Sequence, residues 1–190
     1  MNSENLQRVS VICILGIWLQ EDMKWDENTK QICKKAYARV SILCKLKYVG
    51  ISTDDLITIY VLFIRSIAEY CSVPFHSSLT DEQENKLESI QRTSLRVILA
   101  ENYVSYCAAL EMCSLQKLVT RRENRQLSFS LKCLKNEFNR VIFLPNPNHN
   151  GREIFKVNFA KTEAYRRSAV IQCQHALNKL FRPRKTMSSD

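Results

Sequence analysis

The chain has 190 residues, and its 28 Lys and Arg against 19 Asp and Glu leave a formal net charge of +9. Hydrophobic residues make up 45% and charged residues 25%, which excludes wholesale disorder. With only three Gly and four Pro, a sandwich or barrel rich in tight turns is excluded in favour of long helices.

The charge is uneven: +3 over 1–50, −3 over 51–100, +3 over 101–150 and +6 over 151–190. A positive field at both ends of the chain suits a polyanionic partner. Val9–Gln20 is uncharged but too short to span a bilayer. Trp18-Leu19-Gln20-Glu21-Asp22 offers no small-residue cleavage site, so a signal peptide is not expected. The β-branched content of Val9–Leu19 predicts a strand, with Gly16 as a bulge or a close backbone approach. No other segment reads as a strong strand, so this one is expected to lack its pairing partner.

Asp26 is placed to cap a helix running to about Tyr48, with Ile32, Ala36, Val40 and Leu43 on its buried face. Gly50 stops it. Ser52 and Asp55 open a second helix, whose stripe of Leu56, Ile59, Tyr60, Phe63, Ile67 and Tyr70 runs to about Cys71 before Pro74. Thr80-Asp81-Glu82-Gln83 forms a capping box for a third helix to Leu99, burying Leu87, Ile90, Ser94, Leu95 and Ile98. A short helix is predicted over Ser105–Met112, and a fifth over Leu115–Lys135 with Leu118, Leu127, Leu131 and Leu134 on its inner side. The result is a mainly α bundle centred on Ile32, Ala36, Leu56, Phe63, Leu87 and Leu95.

From Asn136 to Asn158 the composition turns to loop, with Pro145, Asn146, Pro147, Asn148, Asn150 and Gly151. Ile154–Phe159 is a candidate extended piece, and Ser168 a candidate cap for a last helix, Ala169–Phe181. The end, Arg182–Asp190, is expected to fray. The division expected is 1–20 strand, 21–136 helical bundle and 137–190 basic, loop-rich C-terminal extension.

The sequence carries little catalytic chemistry. The three glycines are far apart, so no phosphate-cradling loop exists, and His76, His149 and His175 have no nucleophile or metal spacing. Asp54-Asp55 reads as helix N-terminal charge. The eight cysteines, Cys13, Cys33, Cys44, Cys71, Cys107, Cys113, Cys133 and Cys173, contain no C-x-x-C pair and fall mostly in apolar-periodic stretches. They read as buried thiols of a reducing compartment, with no zinc site. No cofactor, metal or catalytic residue is assigned.

The order of features is more specific. Ile14-Leu15-Gly16-Ile17 is followed by Trp25, Ile32-Cys33-Lys34-Lys35-Ala36, Ile59-Tyr60, Arg65, Glu69-Tyr70 and Pro74-Phe75-His76. Leu87-Glu88-Ser89-Ile90-Gln91-Arg92, Leu115, Leu118, Arg121-Arg122 and Lys132 come next, then Phe155-Lys156-Val157, Ala160-Lys161-Thr162-Glu163, Tyr165, Ser168 and Asn178. From about residue 11 to 180 this resembles the C-terminal part of the reverse transcriptase of non-LTR retrotransposons, of the jockey-like LINE group.

The resemblance implies that the Leu-Gly segment is a late palm strand and that the following helices form a thumb that holds a template–primer duplex. Ile14 stands where the family usually has Tyr, and Phe75 where it has Trp. The family's Tyr-x-Asp-Asp strand, whose carboxylates hold the catalytic metals, has no counterpart in this sequence. The expectation is a truncated thumb-like fragment that is not an enzyme. Residual sequence-tolerant binding of RNA or DNA duplex would run through backbone phosphates, inside the cell, in nucleus or cytoplasm, and away from membranes. The candidate residues are Lys34, Lys35 and Arg39 on the first helix, Arg121, Arg122 and Arg125 on the fifth, and Arg166 and Arg167 near the end. Two other readings stay open: a helical interaction module that self-associates through the exposed N-terminal strand, and a transposon remnant without function.

Overall fold

The structure is a computed structural model that describes residues 8–147 and 153–182. It is mainly helical, with a two-stranded sheet at the start. The fold divides into two compact units, Met1–Cys71 with Leu79–Val119, and Ser72–Ser78 with Thr120–Asp190.

The first unit opens with β1 (Val11–Ile14) and β2 (Ile17–Gln20), paired antiparallel from Val11↔Gln20 to Ile14↔Ile17. Leu15 and Gly16 connect them with φ of +50° and +83°. Both turn residues are therefore left-handed, the geometry that matches strand twist in a two-residue hairpin. This corrects the expectation of one unpaired strand with Gly16 as a bulge: the uncharged run folds back on itself. Ile17 is the only hairpin residue that is buried; all four residues of β1 face solvent.

α1 (Asp26–Tyr48) buries Ile32, Ala36, Val40 and Leu43, as its periodicity predicts. Asp26 is its first residue rather than its cap; the N-cap position is Trp25, and Gln20 Oε1 accepts the Glu27 N–H at 2.8 Å in place of a capping side chain. Gly50, at φ +90°, ends it: the Gly50 N–H donates to the Lys47 carbonyl and the Ile51 N–H to the Leu46 carbonyl, a Schellman closure.

The second helical segment is α2 (Thr53–Ile59), a π-helical stretch (Tyr60–Arg65) and α3 (Ser66–Glu69), capped by Ser52. Wider turns change which residues share a face. The buried row is Leu56, Tyr60, Ile64 and Ala68, four apart throughout. Phe63, expected in the core, is 54% exposed, and Tyr70 is 55% exposed. The π stretch rotates Phe63 off the inner face that a regular helix would have given it.

α4 (Asp81–Leu99) has the capping box the sequence predicts, with Thr80 and Gln83 bonded reciprocally. Gln83 also donates to Asp26 Oδ1 at 2.7 Å, tying the starts of α1 and α4. Leu87, Ile90, Ser94, Leu95 and Ile98 are all buried, and α4 packs along α1. α5 (Tyr106–Met112), capped by Ser105, packs on α4. A polar network threads this core: Tyr60 donates to Gln91 Oε1 at 2.6 Å, Gln91 donates to Tyr106 and the Gln116 carbonyl, and Tyr106 donates to Glu88.

α6 (Leu118–Lys135) begins in the first unit and carries the chain into the second. There Cys133, Phe143, Cys173 and Leu177 form a small core, with Leu127, Leu131, Leu134, Ile142 and Phe155 half-buried around it. After the short α7 (Glu137–Arg140), residues Leu144–Asn146 pair with Ile154–Lys156 through two backbone hydrogen bonds. The short α8 (Glu163–Arg166) precedes α9 (Ala169–Phe181), whose bounds match the sequence reading. Gln174 accepts the Asn158 N–H and donates to the Ile142 carbonyl, while Asn178 holds both backbone groups of Phe155. The expected loop residues Asn148, His149, Asn150 and Gly151, and the frayed tail beyond Arg182, lie outside the described residues.

No disulfide joins the eight cysteines. Only Cys113, Cys133 and Cys173 are buried, where burial pushes their thiols up. Cys13, Cys44, Cys71 and Cys107 are exposed, which corrects the reading of most of them as core residues.

Candidate nucleic-acid interface

On α1, Lys34, Lys35 and Arg39 are all exposed, but they do not form one face. At 100° per residue, Lys35 and Arg39 stack at i, i+4 on one flank of the buried row, while Lys34 continues the row of Lys30 on the far side. Lys30 is held by Glu27 at 3.2 Å.

On α6 the three arginines separate. Arg122 is fully buried, in the inward row Leu118, Arg122, Gln126, Ser130 and Cys133. Its Nε donates to His76 Nδ1 at 3.4 Å, inside the second unit. A phosphate on the surface cannot reach it, so its assignment as a nucleic-acid contact is corrected. Neighbours on a helix point 100° apart, so Arg121 and Arg122 do not share a face.

Burial, then the Arg122 cation, lower the His76 pKa from 6.5 to about 4. His76 is therefore neutral at physiological pH and accepts from Arg122 rather than repelling it.

Arg125 is exposed and Arg121 half-buried. Lys132, exposed, falls on the same helical row, at i+11 from Arg121 and i+7 from Arg125. The 3.6-residue period alone places it on that row. The acidic residue of α6, Glu123, lies on another side of the helix.

Arg166 and Arg167 are exposed near the C-terminal end of α8, and both pair with Glu163, Arg167 at 3.3 Å. Their charge is partly neutralised where it stands, and exposed pairs of this kind contribute little to stability.

Among the described residues no group of three or more His, Cys, Asp or Glu is placed to hold a metal, and no helix is long and apolar enough to cross a membrane. No family model, curated protein or solved structure matches the chain.

Proposed function

We propose that the chain is a reverse-transcriptase-derived, thumb-like fragment that binds nucleic acid through backbone phosphates, with little regard to sequence. The observation that carries this reading is the cationic row Arg121, Arg125 and Lys132 along one side of α6. The Lys35–Arg39 pair on α1 and the net charge of +9 support it. Lysine and arginine at phosphates release condensed counterions, so affinity falls steeply with salt and carries no base information. The reading assigns the chain no DNA synthesis, because its sequence lacks the Tyr-x-Asp-Asp carboxylates. Eight cysteines without a disulfide support an intracellular site of action.

The test is a salt titration of binding to two unrelated duplexes. The reading expects similar affinities for both and a shared steep loss with salt. Binding that is absent at low salt, or confined to one sequence, contradicts it.

A second reading rests on β1, whose four residues are all exposed and apolar. Among the described residues no strand pairs with its outer edge, so self-association through this edge is the rival role. A concentration-dependent dimer abolished by Ile12→Lys would favour that reading over nucleic-acid binding.

A further inference from the structure

A cavity of about 310 Å³ opens in the first unit, lined by Gly16 of the hairpin turn, by residues of β2, α1 and α3, and by Tyr70 just beyond α3. Ile17, Trp18, Ile32, Ile67 and Tyr70 make its walls mostly apolar and partly aromatic. Part of the donor capacity around it is already taken up within the fold. The Ser66 hydroxyl donates to the Leu62 carbonyl at 2.6 Å, the Tyr70 hydroxyl to the Leu15 carbonyl at 3.0 Å, and Gln31 Nε2 to Glu27 at 2.8 Å.

Asn28 is different. It is 1% exposed, and its Oδ1 accepts the Trp18 N–H at 3.2 Å, which fixes the orientation of the amide. Its Nδ2 is buried and has no hydrogen-bond partner among the described residues. A buried donor without a partner is uncommon in native structures and calls for a ligand or an ordered group. The lining also carries the Trp18 indole N–H, a second N–H on Gln31 and, as its one cation, the Lys35 ammonium. Asn28 and Lys35 are seven residues apart on α1, hence on one side of the helix and about 10 Å apart along its axis. The lining thus presents an apolar slot with a neutral donor at one end and a cation two turns away.

We propose that this cavity binds a small planar aromatic carboxylate, with its rings between Ile17, Trp18, Ile32 and Ile67, its carboxylate at Lys35, and an acceptor atom on the far edge of the ring at Asn28. Apolar walls with a few placed polar groups are the usual form of a small-molecule site. The cation selects an anion over a neutral ring, and the amide donor selects a ring bearing an oxygen or nitrogen acceptor. The inference shares Lys35 with the nucleic-acid reading but not the α6 row that carries that reading, so either can fail without the other.

The probe is 6-hydroxy-2-naphthoate, which carries a carboxylate and an acceptor at opposite ends of a flat apolar body, titrated into the full chain by calorimetry. The expected result is saturable one-site binding. It should be weakened at least tenfold by Lys35→Gln, weakened similarly when 2-naphthol replaces the naphthoate, and abolished by Ile67→Trp, which fills the slot. Circular dichroism checks that both variants keep the wild-type helical signal, and side-chain amide NMR should show the Asn28 NH₂ resonances shifting with the naphthoate. Absence of saturable binding in the wild type overturns the proposal. So does binding that both variants leave unchanged, and so does adenosine monophosphate binding more tightly than the naphthoate, which would make this a nucleotide site.

Discussion

In the first unit, α1 and α4 bury rows of aliphatic side chains, Ile32, Ala36, Val40 and Leu43 on one helix and Leu87, Ile90, Leu95 and Ile98 on the other. In the second, α9 buries Gln174 and Asn178 beside Ile171, Cys173 and Leu177, and α6 buries Arg122, Gln126 and Ser130. The first unit is built on these apolar rows, with the Tyr60–Gln91–Tyr106–Glu88 network set among them. The other has a small apolar core, and its irregular segments are fastened by side-chain amides that take the place of β-sheet hydrogen bonds. Apolar burial is non-directional and tolerates adjustment. A buried amide satisfied at both ends fixes one geometry, and removing it leaves backbone groups without partners.

The largest expected effect comes from breaking the apolar side of this comparison. Leu87→Ala should cost the first unit about 3 kcal/mol, by lost transfer energy and a residual cavity. Trp18 and Trp25 both lie in the first unit, so denaturant unfolding followed by tryptophan fluorescence reads that unit selectively.

Next comes the amide side. Gln174→Ala and Asn178→Ala should each cost the second unit about 2 kcal/mol, since each removes bonds to two backbone groups. Peptide-resolved hydrogen exchange would locate the loss in 142–158 and leave α1 and α4 protected. Uniform loss across both units would erase the distinction.

The buried His76–Arg122 contact makes a comparable prediction in pH. The His76 pKa is lowered from 6.5 to about 4, so between these values the unfolded chain binds more protons than the folded one. Its contribution is fully present above pH 6.5 and is lost as the pH falls toward 4, about 2 kcal/mol at most after allowing for partial solvent screening. In His76→Gln, amide exchange in the second unit should depend less steeply on pH between 6.5 and 5 than in the wild type.

The smallest effect sharpens the account of the π-helical stretch. Phe63→Ala should cost less than about 1 kcal/mol, because the ring faces solvent. Tyr60, one turn earlier and fully buried, should be far less tolerant. A loss of several kcal/mol at Phe63 would restore the regular-helix register.

The comparison also explains what was legible in the sequence. Where burial is apolar and the helix regular, as in α1 and α4, the 3.6-residue period named the inner residues and the Thr80–Gln83 box named the start. The π stretch broke that period without any Gly or Pro to announce it. Leu15-Gly16 is not one of the commonest hairpin turn pairs, so the Val9–Gln20 run read as one strand rather than two. The amide fastenings were invisible because Gln and Asn read as surface residues until their backbone partners are known. Of the candidate site, the exposure of Lys34, Lys35, Arg39 and Arg125 followed from the helical pattern. Arg122 did not, since an arginine is seldom fully buried and nothing in the sequence marked its His76 partner.

The most direct test of the central claim, that a cationic face of α6 binds nucleic acid through phosphates, is the salt dependence of duplex affinity in Arg125→Glu/Lys132→Glu. The account predicts weaker binding to two unrelated duplexes by the same factor, and a salt slope shallower than wild type by about two, one unit for each phosphate contact removed. An unchanged affinity and slope would contradict it.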